Sequence, residues 1–209
     1  TPDSRNSSAP VATYYCNSEA KMLYPASKLV SLSKGDKISK VSFKGYVDKD
    51  VTKHLKVWIA NADAEIFDAP SLSLPIDGMT LVYDGDYTFK TVGKASDPLS
   101  EDASILEIDL TEPLVYDGKG IAVAISSSAS AYAKSFFQVI KENDKEPLAY
   151  YRKSDDDLSS KSFNSTALPV AYFSLLKEPM NVEGTVKDSE TGNNIANAEV
   201  KFVSGDVEY

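Results

Sequence analysis

The chain has 209 residues, 42% of them apolar and 25% charged, the balance of a globular protein able to bury a core and not of a disordered one. Lys and Arg number 22 against 31 Asp and Glu, and this formal charge of −9, spread along the chain, argues against nucleic acid or an anionic membrane surface as partner. A single cysteine, Cys16, excludes an internal disulfide framework and a thiolate zinc cluster, so packing must hold the fold together.

Residues 1–10 are polar, with prolines at Pro2 and Pro10, and read as a linker; a leader or lipid anchor would lie upstream of Thr1. No apolar run approaches the ~18 residues that span a bilayer, so no membrane insertion is expected of this stretch of chain. Pro25 is placed to open a short helix over 25–29. Beyond it strand signals dominate, at 37–47, 53–60, 80–89, 104–114, 120–127, 135–141, 148–153 and 170–176, each rich in Val, Ile, Phe or Tyr or alternating in polarity. In 53–60, Leu55, Val57 and Ile59 alternate with His54, Lys56 and Trp58, giving one apolar face and one that carries positive charge and the only tryptophan. Leu106, Ile108 and Leu110 alternate likewise with Glu107 and Asp109, and such one-sided burial suits antiparallel sheets. Residues 120–125 are small or apolar throughout, as in a buried central strand. Tyr83-Asp84-Gly85-Asp86 and Tyr116-Asp117-Gly118-Lys119 fit tight turns in which glycine takes the left-handed backbone. The expected fold class is all-β: an antiparallel two-sheet sandwich of jelly-roll type over 11–177, with negligible helix.

Residues 178–180 read as a second linker. In 181–209, Val182 to Asp188 gives a strand, Ser189 to Asn194 a Gly/Asn turn, and Ile195 to Phe202 a second strand. These are the first strands of a second small β-sandwich that normally needs about seven. A lone hairpin cannot bury enough apolar surface to offset the ordering of its backbone. The expectation is therefore that the protein continues past Tyr209, or that the hairpin docks or pairs through its open edges, with Val182, Val186, Ile195, Val200 and Phe202 otherwise exposed.

Gly184, Val186, Asp188, Thr191, Gly192, Ile195, Ala198 and Val200 match the opening pattern of the carboxypeptidase regulatory-like domain, which residues 182–209 resemble. That resemblance implies a spacer or attachment domain, often in secreted Bacteroidetes proteins. The segments 22–29, 38–45, 57–60 and 110–118 make the preceding domain resemble Bacteroidetes secreted β-sandwich modules of the cleaved-adhesin and jelly-roll carbohydrate-binding groups. These are fold markers and bring no ligand residues with them. The resemblance implies an extracellular or outer-surface location and neighbouring domains of a larger parent protein.

Catalytic signals are sparse. His54 is the only histidine, no Gly-x-Ser-x-Gly elbow occurs, and a Cys16/His54 dyad would have to meet in space; the plainer reading is an inert thiol and a surface imidazole. With 31 acidic residues, a carboxylate pair for glycoside hydrolysis cannot be singled out, and no phosphate-binding glycine loop is present. Asp155-Asp156-Asp157 and the pair Asp84/Asp86 offer oxygen ligands for a structural calcium, although a charged loop is usually just solvated. Twelve tyrosines and the one tryptophan are the stronger lead, because a sugar's apolar face stacks on an exposed ring while polar side chains bond its hydroxyls. Trp58, Tyr46, Tyr150 and Tyr151, with Arg152 beside the last, are the expected ligand-binding residues; adjacent Tyr150 and Tyr151 must face opposite ways. Against this stands the reading that these rings fill the core or cover a sheet edge. The expected function is a non-catalytic glycan-binding or adhesive module of a secreted or cell-surface bacterial multidomain protein, with glycan or surface protein as partner. The alternatives are a structural spacer or stalk mediating protein–protein contacts, and an accessory domain of an extracellular hydrolase.

Overall fold

The computed structural model describes residues 2, 4–62, 77–92, 104–141, 147–177, 184–198, 203–204 and 207–208. The chain divides at Leu176/Lys177 into two units.

The first unit contains β1 (Ser4–Asn6), β2 (Asn17–Tyr24), β3 (Lys37–Val47), β4 (Val51–Ala62), β5 (Thr80–Phe89), β6 (Ser104–Val115), β7 (Gly120–Ser128), β8 (Ser135–Ile140), β9 (Ala149–Ser154), β10 (Asn164–Thr166), β11 (Leu168–Pro169) and β12 (Ala171–Leu175). Every pairing is antiparallel, and the strands form two sheets. One runs β1-β8-β3-β6. Its β8 and β3 pair at Gly45↔Phe137 to Val47↔Ser135; beyond that, β11 continues along β8 and β12 along β3. The other runs β10-β9-β2-β7-β4-β5. The only helical element among the described residues is a single 3-10 turn, Ala26–Lys28, which Pro25 precedes with its extended backbone.

The core follows from period-two alternation. Val51, Leu55, Val57 and Ile59 of β4 are buried with Ile38, Val41 and Phe43 of β3, Leu106 and Ile108 of β6, and Phe137 of β8. Each such side chain contributes on the order of 1.5–3 kcal/mol on leaving water. β7 lies between β2 and β4, and Gly120 through Ile125 are all buried. Lys53 shares the phase of Leu55 and Val57 and is buried with them, at 0% exposure.

Two expectations need correction. Residues 1–10 are not a bare linker: Ser4–Asn6 pair with β8 and residues 8–10 are buried. Main-chain pairing along β8 asks nothing apolar of the added strand, so composition could not show it. Tyr83-Asp84-Gly85-Asp86 is not a turn either, because β5 runs straight through it, with Asp84 opposite Lys56 and Asp86 opposite His54 across β4. Tyr116 to Lys119 does turn. Gly118 there takes a φ of 91°, and Asp117 Oδ1 accepts the Lys119 N–H at 2.9 Å.

In the second unit a turn is held by Asp188, whose carboxylate accepts the Thr191 N–H at 2.6 Å, the Thr191 hydroxyl at 2.8 Å and the Glu190 N–H at 3.1 Å. Gly192 follows at φ 70°, and Lys187 and Asn194 form an isolated bridge. These contacts hold the Asp188 carboxyl below the usual carboxylate range. Val186 and Ile195 are exposed, at 40% and 46%. Of the two expected strands, residues 184–188 and 195–198 are described and hold no strand beyond the bridge at Lys187, while Val182, Val200 and Phe202 lie outside the described residues. Val203–Ser204 and Val207–Glu208 pair as a short antiparallel ladder.

Candidate functional site

Two irregular segments, 11–16 before β2 and 129–134 before β8, are bonded to one another across one end of the first unit. Thr13 Oγ1 donates to Ala133 O at 2.8 Å, and the Ala133 N–H returns to Thr13 O at 3.2 Å. The Ala129 N–H donates to Cys16 O at 2.9 Å. Beneath them the buried Lys53 ammonium donates to Tyr15 O at 2.7 Å and Ala129 O at 3.3 Å, one carbonyl from each segment. Asp155 Oδ1 accepts the Cys16 N–H at 3.1 Å, and Asp48 Oδ1 accepts the Lys134 N–H at 2.8 Å. Loops tied at this many points hold their side chains in place before any ligand arrives.

What they hold is a group of rings. Tyr14, 51% exposed, packs edge-on against Tyr132, 55% exposed, with ring centroids 5.4 Å apart, and against Tyr15 at 6.0 Å. Beside them opens a pocket of about 260 Å³ lined by Thr13, Tyr14, Tyr15, Lys134, Phe136 and Lys153, with Ser7 and Ser135 completing its wall. The Lys153 ammonium sits 4.7 Å from the Tyr15 ring and 5.2 Å from the Tyr151 ring, and donates to Ser8 Oγ at 3.0 Å. Burial lowers its pKa. The Lys49 ammonium stands 4.6 Å from the Tyr132 ring. Each cation is held against a ring's negative face.

The five residues expected from sequence do not gather in one place. Tyr46, half-buried on β3, stacks on Phe136 at 6.2 Å and so supports the pocket wall; Tyr151 lies under Lys153. Trp58 does not stand on an open face: it is 8% exposed, opposite Ala124 of β7. Tyr150 and Tyr151 take opposite sides of β9, Tyr151 against the main core and Tyr150 against the cluster of Leu23, Ala62 and Ala122. Arg152 is buried at 9% and engaged: Nε and Nη2 are each 2.6 Å from Glu19 Oε2, while Nη1 donates to the carbonyls of Leu158 and Lys161. Phe163 covers both Arg152, at 4.6 Å, and Lys21, at 4.0 Å. Burial, then the neighbouring Arg152, pushes the Lys21 pKa down to about 8 against the pull of Glu19. This is a structural charge cluster.

Tyr14, Tyr15, Tyr132, Lys134, Phe136 and Lys153 were not singled out by sequence. The adjacent pair Tyr14-Tyr15 was the available signal, hidden by its place beside an apparent linker.

The acidic candidates are taken up elsewhere. Asp84 Oδ1 lies 2.9 Å from His54 Nε2 and Asp86 Oδ1 3.0 Å from Nδ1, with Lys56 Nζ 3.2 Å from Asp84. With both ring nitrogens engaged, His54 forms no dyad with Cys16. Asp157 accepts both the N–H and the hydroxyl of Ser159, and Asp155 caps Cys16. Among the described residues no group of three or more His, Cys, Asp or Glu is arranged to hold a metal.

The hydrogen bond to Asp86 is the main cause raising the His54 pKa above its ordinary 6.5, the bond to Asp84 adding to it. A raised folded pKa makes this clip's contribution to stability complete below pH 6.5, and lost as pH rises through the folded value. Because His54 is the sole histidine, one imidazole proton resonance reports it. Its titration midpoint is expected above 6.5 in the wild type and to fall toward that value in Asp86→Asn; a wild-type midpoint at or below 6.5 would exclude the clip.

No family model, curated protein or solved structure matches the chain.

Proposed function

We propose that the first unit is a non-catalytic glycan-binding module, of jelly-roll type, from a secreted or cell-surface bacterial protein, and that the sugar sits against Tyr14 and Tyr132 at the mouth of the pocket. The observation that carries this reading is the pair of half-exposed tyrosine rings, packed on one another at 5.4 Å and fixed by loops bonded to the sheet. Exposed rings held rigidly present apolar area with little entropy left to lose, which is what stacking on a sugar face requires. The strand order supports the jelly-roll assignment: β1-β8-β3-β6 in one sheet faces β2-β7-β4-β5 in the other, the order that two nested Greek keys generate. The surface-protein setting rests on the resemblances to secreted adhesin and regulatory-like modules.

Glycan-array screening followed by calorimetry tests the reading. Tyr14→Ala and Tyr132→Ala are each expected to weaken binding by about 1–3 kcal/mol with an unchanged melting temperature, since both rings are half in solvent. Unchanged affinity in both variants would remove the pocket from the argument.

A spacer role is the second reading, favoured by Val115, Leu175 and Leu176, which are 54%, 42% and 41% exposed beside the Lys37 end of β3.

A further inference from the structure

Three cations stand around the tyrosines of this pocket, on a chain whose formal charge is −9. Lys134 and Lys153 line it, and Lys49 stands over Tyr132. Among the described residues none of the three is in an ion pair, in contrast to Lys40, Lys56 and Lys90, which each meet a carboxylate. Of the carboxylates on the adjoining segments, Asp48 and Asp155 accept main-chain N–H groups of Lys134 and Cys16, Asp50 pairs with Lys90, and Asp157 accepts the Ser159 N–H. Beneath the pocket the Lys53 ammonium, with no exposure, adds a further positive charge behind Tyr15. Lys153 has a hydroxyl and two ring faces as neighbours, which position its ammonium without neutralising it.

We propose that the pocket takes an acidic saccharide, a sugar ring lying on Tyr14 or Tyr132 and its carboxylate or sulfate placed between Lys134 and Lys153. This rests on the glycan-binding reading above and narrows it. A neutral sugar would leave these ammonium groups without a counter-charge, whereas an anion completes charge-assisted hydrogen bonds in a partly desolvated site. The lysines around the pocket also favour an anionic chain at this site on a protein whose net charge otherwise repels it.

The test uses the whole chain in calorimetry against polygalacturonate, a sulfated dextran, unmodified dextran and poly-glutamate, at low and high salt. Binding to one or both acidic polysaccharides is expected at least about tenfold tighter than to unmodified dextran, and weaker as salt screens it. The arm that binds more tightly distinguishes uronate from sulfate. Lys134→Gln and Lys153→Gln are each expected to weaken acidic binding severalfold, a larger loss than either causes with unmodified dextran, with Lys153→Arg restoring the acidic binding. Lys134 is exposed, so its variant leaves the fold intact even if Lys153→Gln does not. Equal, salt-independent binding of neutral and acidic polysaccharides overturns the charge inference and leaves the glycan reading standing. Poly-glutamate bound as tightly as any saccharide, through the lysines but indifferent to Tyr14→Ala, overturns both, as does no binding by any polysaccharide.

Discussion

Replacing Gly45 by alanine is expected to lower the melting temperature by roughly 6–12 °C, the equivalent of about 3 kcal/mol at the upper end of overpacking costs. Gly45 is where β3 meets β8, paired with Phe137. A Cβ there would lie 2.0 Å from Phe136 O and 3.1 Å from Ile105 Cδ1. The first of these is main chain and cannot rotate away; the second belongs to a buried side chain with no space to retreat into. Relief requires β8 to move, and Phe136 on β8 carries both the Tyr46 stack and the pocket wall, so sugar affinity should fall with stability. Gly35 is the control. Its φ of 99° also disfavours a side chain, yet nothing lies within 4 Å of its Cβ position, so Gly35→Ala should cost only about 1 kcal/mol. Thermal unfolding of both variants decides the matter, and a Gly45→Ala transition within 2 °C or so of wild type would refute the steric argument.

Lys53→Ala should cost about 2–4 kcal/mol, because it opens a void in the core and strips the donor from the carbonyls of Tyr15 and Ala129. Lys53→Met keeps most of the volume and isolates the loss of the donor, so it should be the milder change. Both should loosen the two segments that carry Tyr14 and Tyr132, and therefore weaken ligand binding more than their distance from the ligand implies. Burial lowers the Lys53 pKa from 10.5, so the unfolded chain holds this proton to higher pH than the folded one. Its contribution to stability therefore rises with pH between the lowered value and 10.5, a slope that Lys53→Met should abolish. Urea unfolding at several pH values measures both effects. If Lys53→Ala unfolds at the wild-type midpoint, the ammonium is not the tie between the segments.

The strands of the sandwich could be read from the chain alone wherever alternation was local and complete. Leu55, Val57 and Ile59 on β4, and Leu106 and Ile108 on β6, face the core as their phase requires, and the unbroken small and apolar run of β7 did mark a central strand. The turn expected over 189–194 was likewise local, because an Asp carboxylate bonding the next N–H groups and a glycine at positive φ are neighbours in sequence. Wherever the deciding partner came from a distant strand, the chain was silent or misleading. Ser4-Arg5-Asn6 became a strand only because β8 lay beside it, and Asp84-Gly85 stayed extended because β4 supplied Lys56 and His54 opposite. Trp58, on the polar side of the β4 alternation, is nonetheless buried in the assembled sheets, opposite Ala124. The candidate site is the extreme case, since Tyr14, Phe136 and Lys153 come from three separate segments, and only the register of β2, β8 and β9 brings their side chains to one pocket. Period-two burial is a property of consecutive residues and survives in the sequence; cross-strand partnership is a property of the assembled sheets and does not.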